Sequence, residues 1–163
     1  MILLFLLETT SSNKSDWRYV KSTIDFYYES RICKYEPLYC ENKDKLINQD
    51  TKINRIIKKD YFENEYKVIL VADYDREENK NNRIIDYCNK NKYELIWMNP
   101  NIEKVYLDMD VSQADKKRKS ENFQIKSEQL LPNLTNILNF KEPLKTKRGS
   151  NILDILDKFL KAK

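Results

Sequence analysis

The sequence predicts an α/β fold, a mainly parallel sheet with helices on both faces followed by C-terminal helices. Three observations predict it. Short apolar runs at Met1–Leu7, Val68–Ala72 and Tyr93–Met98 do not alternate with polar residues, as expected of strands buried on both faces. Stretches with apolar residues at helical spacing separate these runs, and strands alternating with helices give a parallel sheet with right-handed crossovers. The length of 163 residues suits one domain.

Met1–Leu7 has no basic segment before it and is far too short to span a bilayer, so it reads as a first buried strand. It ends on Glu8, and Thr9–Lys14 forms a polar loop. A helix follows, with Ser15 or Asp16 as its cap and Trp17, Val20, Ile24 and Tyr27 or Tyr28 inward. Tyr35–Cys40 is a weaker strand that Pro37 assigns to an edge. Asp44 caps a helix with Leu46, Ile53, Ile56 and Ile57 inward, and Tyr61 and Phe62 pack its exit. The strand at 67–72 comes next and ends on Asp73 and Asp75.

The polar stretch 77–82 leads into a helix at Arg83–Cys88, which ends over 89–92, and 93–98 is a further strand. Asn99 and Pro100 break that strand, and 101–107 is helical, with Pro100 at a first-turn position and Ile102, Val105 and Tyr106 inward. Residues 108–114 form a loop before the basic run Lys116, Lys117, Arg118 and Lys119. A helix at Leu130–Phe140 is interrupted by Pro132, the polar, basic stretch 142–150 reads as mobile, and 151–160 is an amphipathic helix capped by Ser150 or Asn151. The chain therefore divides into a core over 1–110 and a basic, helical extension over 111–163 packed on the same domain.

Composition excludes several chemistries. The single glycine, Gly149, leaves no Gly-rich phosphate loop or dinucleotide fingerprint. The absence of histidine removes the commonest general base, the Ser-His-Asp and Cys-His arrangements, and the commonest zinc ligand. Cys33, Cys40 and Cys88 are odd in number and in no C-x-x-C spacing, so they read as small hydrophobes in a reducing cytoplasm. Carboxylates without histidine favour Mg²⁺, Mn²⁺ or Ca²⁺. Residues 111–163 carry 12 Lys/Arg against 6 Asp/Glu, and residues 1–110 carry 18 against 20. A basic final third on an acidic body suits a polyanion, and an ordinary solvated surface reads the same way.

In an open α/β sheet ligands bind beyond the carboxyl ends of the strands. If the first strand and the 67–72 strand are neighbours, Glu8, Asp73 and Asp75 converge there. Three clustered carboxylates repel one another at a cost of several kcal/mol unless neutralised, and a divalent cation is the natural remedy. The alternatives are salt bridges to Lys14, Arg18 or Arg76, or plain turn and capping roles. Glu103, on the helix after Asn99–Pro100, faces the same end as a further ligand or general base, or serves that helix as a surface or dipole residue. Asn99 positions the loop, touches substrate or is a plain turn residue, and Lys14 and Arg76 are candidate phosphate contacts.

A Glu closing the first strand and an Asp-x-Asp closing a later one resemble the Toprim domain of topoisomerases, primases and overcoming-lysogenization-defect nucleases. Within that superfamily the chain resembles the RloB-like branch of prokaryotic defence loci over residues 1–110. Leu6-Leu7-Glu8 with its Thr/Ser loop resembles a Glu-Gly-x-Thr/Ser start. Val71 to Glu77 resembles a Phe-Asp-Arg-Asp segment, and Met98 to Glu103 a Ser-Asn-Pro-x-Phe-Glu element. Thr9 stands where that branch has glycine, and no His-Pro follows the Asp pair.

The resemblance implies a Toprim-like sheet and a metal-dependent nuclease that often works with an ATPase sensor encoded nearby. The leading expectation is therefore a Mg²⁺- or Mn²⁺-dependent phosphodiesterase acting on RNA or DNA. Glu8, Asp73 and Asp75 would hold metal, Glu103 would assist, and Lys14, Arg76, Asn99, Lys116, Lys117, Arg118 and Lys119 would touch substrate. The alternatives are a catalytically silent nucleic-acid- or partner-binding module and a strand-passing or primer-synthesis component. A homo-oligomer is among the partners the sequence allows, and a membrane is not.

Overall fold

The structure, a computed structural model, describes residues 1–29, 33–60, 65–141 and 147–163. It is an α/β fold built on a five-stranded sheet ordered β2-β1-β3-β4-β5. The strands are β1 (Ile2–Leu7), β2 (Lys34–Tyr39), β3 (Tyr66–Asp73), β4 (Glu94–Asn99) and β5 (Gly149–Ser150). β1 to β4 are parallel, and only β5 runs antiparallel, on the edge of β4. The three expected apolar strands are thus neighbours in one sheet. β2 lies at the opposite edge, where the missing N–H of Pro37 interrupts no continuing ladder.

Helices cover both faces. Leu3, Phe5 and Leu7 of β1, with Ile69, Val71, Ile96 and Met98, pack under α1 (Ser15–Tyr27), α4 (Ile102–Leu107) and α5 (Lys116–Ile125). The short segments α6 (Ser127–Leu130), α7 (Thr135–Leu138) and α8 (Ile152–Leu156) close that layer from the C-terminal third. The alternate residues Leu4, Leu6, Val68, Leu70 and Ala72 face α2 (Asp50–Asp60) and α3 (Glu78–Asn91). Period-two alternation sends successive side chains to opposite layers, so every residue of β1 is buried, as its unbroken apolar sequence requires.

Several boundaries differ from the sequence reading, each for a local reason. α1 starts at Ser15 after a left-handed Lys14, with no side-chain cap, so Ser15 and Asp16 are buried first-turn residues rather than caps. Tyr19 takes the deep inward position, and Trp17 is half-buried with its ring 5.5 Å from Phe5. Asp44 lies in a 3-10 turn capped by Asn42, and α2 begins only at Asp50. α3 begins at Glu78, five residues before the apolar pattern starts, because its first turns face solvent except for Asn81, which donates to the Tyr74 carbonyl at 2.8 Å.

The Asn99–Pro100 bond is cis, and Asn101, not Pro100, sets the start of α4 by accepting the Lys104 amide at 2.9 Å. The basic run lies on α5, a helix the sequence did not announce, since only Ser120 and Phe123 are buried there. Pro132 lacks an N–H, and the expected helix at 130–140 is a chain of short turns. α8 is shorter than its amphipathic stretch. Ser150 Oγ accepts the Ile152 amide at 3.1 Å, while Asn151 pairs instead with Trp97 N–H and the Leu95 carbonyl on β4. The packing expected of Tyr61 and Phe62 lies outside the described residues, as does 142–146 of the polar stretch.

All three cysteines are free thiols, Cys40 and Cys88 buried and Cys33 half-buried. Among the described residues no helix is long and apolar enough to cross a membrane.

Gly149, the only glycine, sits where a Cβ would overlap the Phe140 ring and lie 3.0 Å from the Ile137 carbonyl oxygen. Gly149→Ala should therefore destabilise the fold by about 1–3 kcal/mol, the usual cost of overpacking. Urea denaturation reads this, and adding Phe140→Leu should recover most of the loss. Wild-type stability in the single variant would mean the ring moves aside freely.

Candidate active site

β1 turns to β2 on one side and is flanked by β3 on the other, so the crevice beyond their carboxyl ends is the topological switch point of the sheet. Leu7 is in register with Val71, which puts Glu8 beside the end of β3. Glu8 Oε1 accepts the Asp73 amide at 2.8 Å, and Asp73 Oδ1 accepts the Ile102 amide, the first of α4, at 2.9 Å. Each carboxylate is thus fixed through one oxygen. The other oxygen of each accepts no hydrogen bond among the described residues.

These two acids line a pocket of about 200 Å³ with Thr9, Asp16, Lys43 and Lys116. The loop after β1 shapes one wall, with Thr9 and Ser15 hydroxyls 3.3 Å apart and Ser15 Oγ donating to Asp16 Oδ1 at 3.1 Å. Lys43, buried after β2, donates to the carbonyls of Asp73 at 2.5 Å and Tyr74 at 3.3 Å and lies 3.4 Å from Glu77. It clamps the backbone turn that carries the acids. Lys116 enters from the start of α5, its Nζ 3.4 Å from Glu103 Oε1. At that distance and angle the hydrogen bond is weak, so the pair is held mainly by charge.

The structure brings together some of the sequence-predicted residues and separates others. Glu8, Asp73 and Lys116 share the pocket, and Glu103 lies behind Lys116 as a buried ion-pair partner, not on a helix surface. Asp75 is exposed. The chain turns sharply through left-handed φ at Asp75 (44°) and Arg76 (54°), with the Asp75 amide donating to the Pro100 carbonyl at 2.9 Å, and Asp75 does not line the pocket. Among the described residues no three Asp, Glu, Cys or His side chains are grouped so as to hold a metal, so the trio Glu8, Asp73 and Asp75 is not assembled as one ligand set.

Lys14 and Arg76 are exposed beside the loops and outside the pocket lining. Asn99 donates to the Lys147 carbonyl at 2.7 Å, a tie between β4 and the chain entering β5. The basic run splits: Lys116 faces the pocket, Arg118 pairs with Asp115 at 2.9 Å, and Lys117 and Lys119 do not line the pocket. The sequence reading missed Asp16 and Lys43. Asp16 looked like an ordinary cap, and nothing in the chain marks Lys43; both are defined only by what packs over them.

The electrostatics follow from burial. Glu8 is pushed from 4.5 to about 8, first by burial and then by Asp16 and Asp75, against the Asp73 amide and Lys43. Asp16 rises from 3.8 to about 6 through burial and the Glu103 charge, opposed by Lys116 and Ser15. Burial, then Glu8, Asp16, Asp75 and Glu103, hold Asp73 well above the usual carboxylate range. Burial opposes the charge of Lys116, but Glu103, Asp73 and Asp16 outweigh it and raise its pKa.

Glu8, Asp16, Asp73 and Glu103 outnumber Lys43 and Lys116, and Lys43 also serves Glu77, so the site holds more carboxyl than ammonium groups. Protons or a divalent cation can meet that excess. Asn13 Oδ1, on the pocket wall, is another buried acceptor without a donor among the described residues. The donor set is all oxygen, and Mg²⁺ needs only one or two carboxylates because it keeps several waters. Glu8 and Asp73 fit that requirement, and a pocket of about 200 Å³ has room for the water.

Compared with known proteins, the chain matches no family model, no curated protein and no solved structure.

The raised acids set a pH dependence. Below 4.5 both folded and unfolded chains hold the Glu8 proton; between 4.5 and about 8 only the folded chain does. Stability of the metal-free protein should therefore fall as pH rises through that window, by up to roughly 1.4 kcal/mol per pH unit for each proton held only in the folded state. Urea denaturation across the window measures the slope, and Glu8→Gln should reduce it to what Asp16 and Asp73 contribute. A slope untouched by Glu8→Gln would mean that Glu8 is charged in the fold.

Proposed function

We propose that this chain is a divalent-cation-dependent phosphodiesterase that hydrolyses RNA or DNA. The observation that carries the reading is the joining of Glu8 and Asp73 at the switch point of a parallel sheet, within a pocket holding more carboxylate than ammonium charge. The ordered sequence resemblance to the RloB-like branch supports it. On that resemblance we assign the activity to prokaryotic anti-phage defence, beside an ATPase sensor.

Glu8 and Asp73 would hold Mg²⁺ or Mn²⁺ through the oxygens not used by the backbone. The bound ion would polarise the phosphodiester and lower the pKa of its water. The remaining work belongs to the chain. Backbone N–H groups fix Glu8 and Asp73 at 2.8 Å and 2.9 Å, so no reorientation is needed to hold charge at the site. Lys116 meets a phosphate oxygen by exchanging its long, weak pairing with Glu103 for a shorter charge-assisted hydrogen bond. Asp16, with its pKa about 6, can accept a proton near neutral pH, the property a general base requires. Lys43 keeps the Asp73–Tyr74 backbone in place.

One observation favours a second reading, a catalytically silent binding module. Asp73 already has a structural role at the start of α4, and two lysines already serve the pocket as counter-charges.

A cleavage assay on labelled RNA and DNA, with Mg²⁺, Mn²⁺ or EDTA, separates the two. Wild type should cleave only with the cation, and Glu8→Gln and Asp73→Asn should each lose at least about 100-fold, the upper range for disturbing a metal site's support. Thermal melts run alongside should show less stabilisation by Mg²⁺ in both variants. Cleavage surviving in them would move the active site elsewhere; metal-dependent stabilisation without any cleavage would favour the silent module.

A further inference from the structure

α2 carries a second feature that bears on nucleic acid. Its sequence places Lys52, Arg55, Lys58 and Lys59 on the solvent side, and all four are exposed. None of the four forms an ion pair with a described residue. The basic run on α5 is different, because two of its four cations are engaged, Lys116 by Glu103 and Arg118 by Asp115. Cations with no ion pair among the described residues need none broken before they meet a polyanion, so the α2 set is the stronger electrostatic footprint.

Geometry points the same way. Thr51, Asn54, Arg55, Lys58 and Lys59 line one shallow surface groove. Thr51 to Lys58 spans roughly 10 Å of helix at 1.5 Å per residue, the axial length of about three nucleotides of one strand. The groove mixes ammonium and guanidinium groups with hydroxyl and amide donors, the usual set for phosphate and sugar contacts. The opposite face of α2 is already used: Ile53 is buried, and Ile56 and Ile57 pack into the second core. No apolar face remains for insertion into a bilayer, which separates this helix from an interfacial membrane anchor.

The start of the helix lies near the pocket, although none of its residues lines it. It follows the 42–46 segment that supplies Asn42 and Lys43 to the pocket wall. Glu41 on the same wall has its carboxyl lowered mainly by Lys45, and Lys52 adds to that effect.

We propose that the outer face of α2, from Lys52 through Arg55 to Lys58 and Lys59, is a docking track for the phosphodiester backbone of a nucleic acid that enters the pocket between β1 and β3. The nature of the polyanion rests on the phosphodiesterase reading; the track itself rests on the unpaired charges and the groove.

The test is fluorescence anisotropy of a labelled single-stranded oligonucleotide, as RNA and as DNA, titrated with the full chain in EDTA at increasing NaCl. The chain carrying Lys52→Gln, Arg55→Gln, Lys58→Gln and Lys59→Gln should bind more weakly and lose about 0.7 of log–log salt slope per phosphate contact, roughly 3 if all four cations make one. A chain with Lys52→Arg, Lys58→Arg and Lys59→Arg should bind as wild type, because charge and helix are both kept. Lys117→Gln with Lys119→Gln should leave the slope within about one contact of wild type.

An unchanged slope in the glutamine chain overturns the proposal. So does loss of binding in the arginine chain, or binding by wild type to phosphatidylglycerol vesicles but to neither oligonucleotide. Cleavage is scored separately with Mg²⁺. Binding through α2 without cleavage leaves the track standing and sinks the phosphodiesterase reading. Cleavage by wild type with an unaltered glutamine chain does the reverse.

Discussion

An excess of half-buried and buried carboxylate at the ends of β1 and β3 is the constraint around which the C-terminal edge of the sheet is organised. Removing charge from water is costly, and four acids facing two ammonium groups leave part of that cost unmet. The backbone absorbs some of it: amides of Asp73 and Ile102 each donate to one oxygen of Glu8 and Asp73. Lys43 holds the turn beneath, and Lys116 stands among Glu103, Asp73 and Asp16. What is left over appears as carboxyls that hold their protons above the normal range. On the proposed reading a hard cation would compete with protons for this charge.

The C-terminal third completes the site. Lys116 reaches the pocket only because α5 is docked on α1. Phe123 lies within ring-stacking distance of Tyr19 and Tyr106, at 5.1 Å and 5.2 Å between centroids, and Arg18 bridges to Glu121 at 3.1 Å. These contacts anchor a helix whose own sequence is mostly polar. Farther on, Asn151 hydrogen-bonds the backbone of β4 at Leu95 and Trp97, and β5 pairs with Met98 and Asn99. The edge of β4 is thereby covered rather than left open for another chain. Gly149 suits this tight edge, since a Cβ there would overlap the Phe140 ring as it stands.

Buried acids gather at the ends of β1 and β3, where burial makes each interaction strong. The bases of α2 face solvent, where they act at longer range and are screened by salt. A polyanion attracted by the second population still needs counter-charge at the first, which is the task a bound cation and Lys116 would share.

The sequence by itself determined the four parallel strands and the acid at the end of each central one, but not β5, which pairs antiparallel in a stretch that reads as mobile. Continuous apolar runs can only be buried on both faces, so Ile2–Leu7 and the core of β3 had little freedom, and Pro37 was confined to an edge. Adjacency of β1 and β3 then brought Glu8 to Asp73. The sequence could not decide which further groups join them, because a side chain's role there depends on what packs across it. Asp16 and Glu103 are ordinary first-turn acids until α5 closes over them, burial raising the Asp16 carboxyl and Lys116 pairing with Glu103. Asp75 was lost from the pocket by two left-handed backbone steps that no periodicity encodes. The basic run on α5 was visible as four adjacent cations, yet only tertiary contacts split it into one pocket residue, one local ion pair and two residues outside the pocket. Local pattern fixes what must be buried; the long-range packing of α4 and α5 on α1 decides which charges are buried together.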